Sequence, residues 1–197
     1  NFDVCADDHC QRYQGLTRAT GQKVRKVIDR TWGQVLTYDG ELCDARFSKC
    51  CGGRMELFPT CWEDSCKPYL QALPDAPDHA EDGKCFCDTE DAEVLSQILN
   101  DYDLETRDFF RWTKTYGREE LGELIESRCG VHVGRVVSLD ALQRGPSGRI
   151  MKLRITGECR TLVVGKELEI RRILSDSHLK SSAFEVEYKG ESIVLHG

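Results

Sequence analysis

Residues 131–164, VHVGRVVSLDALQRGPSGRIMKLRITGECRTLVV, decide the fold. From Val131 onward the hydrophobic period becomes two, the spacing at which successive side chains of a strand change faces. Val133–Leu139, Arg149–Ile155 and Thr161–Val164 read as strands on this basis, and Phe184–Tyr188 and Ile193–Leu195 continue the pattern. Gly145-Pro146-Ser147-Gly148, Gly157 and Lys189-Gly190 separate most of them with turn-forming residues, which predicts antiparallel meanders.

Helices flank these strands. Arg118–Cys129 places Leu121, Leu124 and Ile125 inward, loads its first turns with Glu119, Glu120 and Glu123, and is followed by Gly130 as a C-cap. Ala92–Leu99 carries Val94, Leu95, Ile98 and Leu99 on one face, and Ala19–Arg30 sets Val24, Val27 and Ile28 at helical spacing among basic residues. Lys166–Leu174 fits neither period and is expected to be a short helix covering the sheet, while Phe109–Trp112 is expected to be a short strand. The fold class is therefore α+β: mostly antiparallel sheet with barrel-like meanders and three or four short helices. One domain is expected over residues 1–197, with 83–135 as a helical insertion.

Residues 31–70 concentrate the remaining constraints. Gln34–Tyr38 alternates as a strand, Asp39-Gly40 is a strong hairpin turn signal, and Leu42–Phe47 returns. Cys43, Cys50, Cys51, Cys61 and Cys66, five of the eleven cysteines, lie in this stretch. Ser48, Lys49, Cys50, Cys51, Gly52 and Gly53 form a corner where the backbone can take positive φ and come close to a ligand. The adjacent Cys50 and Cys51 point apart in extended chain, so they are expected to serve different partners. Trp62, between Cys61 and Cys66, is either core filling or a platform for a sugar ring. Beyond it, residues 74–91 hold seven acidic residues without the spacing of a calcium loop, which predicts a solvated connection. Cys85 and Cys87 within it are expected to bridge to other segments.

A net charge of −7 with scattered basic residues argues against nucleic acid as a partner, since phosphate binding needs a clustered basic surface. No apolar run approaches the ~18 residues that suggest a membrane span. Asn1 does not begin a signal peptide, so a targeting segment is expected to have been removed or to lie upstream. Eleven cysteines without a CxxC…CxxC framework suggest an oxidising compartment with some disulfides, and the odd count leaves at least one thiol free, metal-bound or paired outside this chain. Near the start, Cys5, His9 and Cys10 could supply three zinc ligands; a Cys5–Cys10 disulfide with a packed His9 is the alternative.

Ser-His-Asp order, phosphate-binding glycine loops, HExxH and dinucleotide fingerprints are absent from the sequence. A family resemblance is present instead. DVCADDHCQRYQG, then GQVLTYDGE, ARFSKCCGGRME, CWED and KPYLQALPD, and later SGRIMKLRITG, VVGKELEIRRIL and SSAFEVE, resemble in order the central part of the stage II sporulation protein D (SpoIID/LytB, amidase-enhancer) family. The stretch from about Gly83 to Arg135 is less typical of it.

The resemblance implies a lytic-transglycosylase-like protein acting on peptidoglycan glycan strands outside the cytoplasmic membrane, in the periplasm or on the membrane's outer face. A wall-binding or amidase-enhancing module is the alternative, with a cell-wall amidase or other wall hydrolase as partner. No cofactor is required by it, although zinc is an option at Cys5, His9 and Cys10, which match the segment where some members hold that ion. The family's catalytic glutamate is expected ahead of Asn1 and its glycine-histidine run after Gly197, so no residue here inherits the catalytic role. Ser48, Lys49, Gly52 and Gly53 match the polar corner beside the family's cleft. With Arg46 or Lys49 to hold acetyl or lactyl groups, and Tyr38 or Trp62 to stack on a sugar face, they are the expected substrate contacts.

Overall fold

The computed structural model describes residues 21–46, 48, 50–77, 85–98, 108–177 and 179–197. The chain divides into two compact units, residues 1–46 and 47–197. In the first, α1 (Gln22–Thr31) follows the apolar spacing of Val24, Val27 and Ile28, but Val27 and Ile28 remain exposed and the helix buries no residue fully. The expected hairpin is present as β1 (Thr37–Tyr38) and β2 (Glu41–Leu42), paired antiparallel with Tyr38 opposite Glu41. Asp39 and Gly40 both have positive φ, 49° and 82°, as a tight two-residue hairpin turn requires.

In the second unit the described residues form α2 (Phe58–Cys61), α3 (Ala92–Ile98), β3 (Thr113–Gly117), α4 (Arg118–Cys129), β4 (Val136–Arg144), β5 (Ile150–Gly157) and β6 (Thr161–Val164), followed by α5 (Glu167–Ile173), β7 (Glu185–Lys189) and β8 (Ser192–His196). Strands β4, β5 and β6 make one antiparallel meander, and β3, β8 and β7 lie in that order in a second antiparallel sheet. The fold is α+β. Neither three-stranded sheet closes into a barrel among the described residues, and five helices rather than three or four are present there.

Alternation explains which face is covered. Leu139, Ile150, Leu153, Ile155 and Val164 are buried, while Val137 and Val163 on neighbouring positions face solvent. Leu121 and Ile125 of α4 and Ile170 and Ile173 of α5 close over the same core, each such side chain contributing on the order of 2 kcal/mol of burial. Gly130 ends α4 in the left-handed region at φ 72°, and its amide donates to Glu126 O at 2.7 Å. Glu120 accepts the Gly117 amide at 3.0 Å, a structural use of the acidic first turn. Tyr188 joins the two sheets, accepting from Leu139 N at 2.9 Å and donating to Leu139 O at 3.2 Å.

Two expectations shift. The strand expected at Phe109–Trp112 begins at Thr113 instead, because Trp112 and Gly197 exchange backbone hydrogen bonds at 2.9 Å and fix the end of the ladder one residue beyond the aromatic cluster. Strand β4 starts and ends later than its alternation suggests. Register shifts at Val136/Ser138, Ala141/Gln143 and Gln143/Arg144 break the period of two along it.

Candidate functional site

The Gly-Gly corner has the predicted backbone: Gly52 and Gly53 sit at φ 72° and 97°. What it approaches is the chain itself. A Cβ on Gly53 would lie 3.1 Å from the Cys85 sulfur, so glycine allows residues 51–54 to pack against residues 85–87. Backbone hydrogen bonds knit three segments together here: Met55 N to Leu73 O at 3.0 Å, Asp75 N to Gly53 O at 2.9 Å and Phe86 N to Asp75 O at 2.9 Å.

Side chains from the turn before β5 hold the corner against the sheet. Arg149 donates to Cys51 O at 2.7 Å, to Arg54 O at 3.2 Å and to Ser147 Oγ at 2.7 Å. Glu56 accepts from Ser147 Oγ at 2.5 Å and from its amide at 3.2 Å. The turn that the sequence marks with Gly145-Pro146-Ser147-Gly148 is thus a clamp as well as a strand connection.

Cysteine sulfurs gather inside this frame. Cys51 Sγ lies 3.1 Å from Asp75 Oδ2 and 3.5 Å from Cys87 Sγ, and the Gly53 amide donates to it at 3.3 Å. The donor atoms of Cys51, Asp75 and Cys87 all fall within 4.8 Å of one another. Cys50 and Cys85 also lie close enough to Cys87 to interact with it, and the Asp88 amide donates to the Cys85 carbonyl at 3.1 Å. Burial pushes the Cys50 thiol up to about 11, with neighbouring Cys87 adding to the effect. It raises Cys51 further still, reinforced by the hydrogen bond to Asp75. All nine described cysteines are thiols in the structure.

The expected substrate contacts fall in both units, and each is described within its own. Arg46, in residues 1–46, is paired with Asp44 through Nε at 2.6 Å. Tyr38 is on β1 of that unit and 43 % exposed. Ser48 is exposed, and Lys49 lies outside the described residues, as do Cys5, His9 and Cys10. Trp62 is 36 % exposed and rests on Phe58 with ring centroids 5.1 Å apart, so its ring is partly core and partly surface. Lys166 of the loop before α5 ties this region down by donating to Pro59 O at 2.9 Å and to Asp64 at 2.6 Å.

Sequence reading missed Asp75, Glu56 and Arg149 as members of this arrangement. The tight spacing of Cys85 and Cys87 predicts that each bridges to another segment; in the structure both are thiols, and Cys87 Sγ lies 3.5 Å from Cys51 Sγ without a bond. An acidic residue among seven in one run carried no such signal.

Residues 56–197 match the family model described as Domain of unknown function (DUF8618), and the chain belongs to that family. Residues 1–38 match a second model, Stage II sporulation protein. The resemblance drawn over nearly the whole chain is supported by that match at its beginning, and residues 56–197 carry the other family's pattern. No curated protein matches the chain. Among the described residues no helix is long and apolar enough to cross a membrane.

Proposed function

We propose that this protein works on the bacterial cell wall outside the cytoplasmic membrane, engaging peptidoglycan glycan strands as a relative of the stage II sporulation proteins. The observation that carries the reading is the match of residues 1–38 to that family's model. The order of ARFSKCCGGRME, CWED and KPYLQALPD supports it. So does the half-exposed Trp62 ring, braced from behind by Phe58, which is a surface suited to stacking on a sugar face. Ser48, Lys49 and Trp62 are the contacts this reading assigns in residues 47–197; Arg46 and Tyr38 are its separate contacts in residues 1–46.

Sedimentation with glycan strands stripped of stem peptides tests it. The protein binds them, and Lys49→Ala with Trp62→Ala weakens binding about tenfold, equivalent to ~1.4 kcal/mol. Undiminished binding by the double variant removes these contacts, and absence of binding by the unaltered protein removes the reading. Release of anhydromuropeptides by the full gene product identifies a transglycosylase; binding without products identifies a wall-binding or amidase-enhancing module.

A further inference from the structure

We propose that Cys51, Cys87 and Asp75, with a fourth sulfur from Cys50 or Cys85, bind a borderline-soft divalent metal ion of the zinc class. Geometry is the first argument. Three donor atoms within 4.8 Å of one another surround a point that one ion can reach. Tetrahedral zinc with sulfur at about 2.3 Å sets neighbouring sulfurs about 3.8 Å apart, and Cys51 and Cys87 are at 3.5 Å. Cys50, adjacent to Cys51, and Cys85, whose sulfur packs on Gly53, are the nearest sulfurs that a small shift would bring to the fourth position.

The surroundings are the second argument. An amide aimed at sulfur stabilises thiolate, and here Gly53 donates to Cys51 at 3.3 Å. Consecutive positive-φ glycines after the cysteine pair turn the Gly53 amide back toward the Cys51 sulfur. The Arg149 guanidinium on the Cys51 carbonyl adds a positive charge beside a site whose ligands would outweigh the ion's two charges. Each ligating thiol gives its proton to solvent on binding, so affinity rises with pH.

A third argument is what the ion would do. The ligands come from residues 50–51, 75 and 85–87, segments already joined by the Asp75–Gly53 and Phe86–Asp75 hydrogen bonds. An ion there staples the corner shut, and it is distinct in sequence from the Cys5, His9 and Cys10 set.

Metal content and cobalt(II) spectra test the assignment on the whole chain, with no glycan involved. In Cys5→Ser/Cys10→Ser, which lacks the N-terminal thiols, about one zinc per chain is retained through gel filtration. Adding Cys51→Ser and Cys87→Ser to that background removes it. Because those variants could fail to fold, cobalt(II) is also titrated into the reduced Cys5→Ser/Cys10→Ser protein, where sulfur-to-metal charge-transfer absorption and tetrahedral visible bands are expected. Asp75→Asn, a milder change, weakens cobalt binding at least ~10-fold. Absence of the charge-transfer band from folded protein, full zinc retention without Cys51 and Cys87, or a Cys51–Cys87 disulfide in protein isolated without reductant overturns the proposal.

Discussion

Arg149 Nη2 donates to the carbonyl of Cys51 at 2.7 Å, a hydrogen bond spanning 98 positions of sequence. It fastens the cysteine corner to the turn that leads into β5, and the same guanidinium reaches Arg54 O and Ser147 Oγ. Hydrogen bonds from a charged donor contribute more than neutral ones, and their loss leaves the carbonyls of Cys51 and Arg54 without that partner. Arg149→Met therefore lowers unfolding stability by ~2–3 kcal/mol in urea denaturation. Amide exchange should quicken in residues 51–56 more than in β5. A change below ~0.5 kcal/mol, the ordinary range for surface substitutions, would show that the corner stands without its clamp.

The two corner glycines make different demands. Both have positive φ, but a Cβ at Gly52 meets open space, whereas at Gly53 it meets the Cys85 sulfur at 3.1 Å. Gly52→Ala costs ~1 kcal/mol from backbone conformation alone. Gly53→Ala costs more, because Cys85 must move as well, and it alone alters the reactivity of Cys85 and Cys87 toward a thiol reagent. Equal losses from the two variants would contradict this packing.

Legibility in the sequence followed the physics of each segment. Helix α4 was readable residue by residue, since Leu121 and Ile125 at helical spacing, an acidic first turn and Gly130 are all local signals. The Asp39-Gly40 turn and the run of antiparallel strands were readable for the same reason. Helix α2 was not. It has four residues and exists because Phe58 and Thr60 are buried by partners distant in sequence. The corner's glycines are a local signal, but the packing of Gly53 on Cys85 is not, and only tertiary structure brings Asp75, Glu56 and Arg149 to it.

Cys61 predicts a dependence on alkali. Burial pushes its thiol from 9.0 up to about 12, and the nearby Glu167 carboxylate adds to the shift. The folded chain therefore keeps a proton that the unfolded chain loses, so stability is flat with respect to this group below pH 9 and falls as pH rises from 9 toward 12. Cys61→Ala should flatten that slope in chemical denaturation of reduced protein, without abolishing it, because burial also raises Tyr116. Reactivity provides a second readout. Exposed Cys66 and Cys159 should be alkylated by iodoacetamide at pH 8 while Cys61 lags at least ~10-fold, since the thiolate is the reacting species. Labelling of Cys61 at the same rate would contradict its half-buried setting.

Strand β5 and its neighbour β6 allow the face assignment to be tested by one pair of truncations. Leu153 is opposite Val164 in the ladder and Arg154 opposite Val163. Leu153 is fully buried, whereas Val163 is 56 % exposed on the other face. Leu153→Ala leaves a cavity among Ile155, Ile170 and the other core side chains and costs ~3 kcal/mol, within the 2–5 kcal/mol typical of such truncations. Val163→Ala loses mainly strand preference and costs below ~1 kcal/mol. A one-residue slip of β6 against β5 would turn Val163 inward and Val164 outward, and would raise the cost of truncating Val163 while lowering that of Val164. Urea denaturation of Leu153→Ala, Val163→Ala and Val164→Ala therefore reports both the core and the register that builds it.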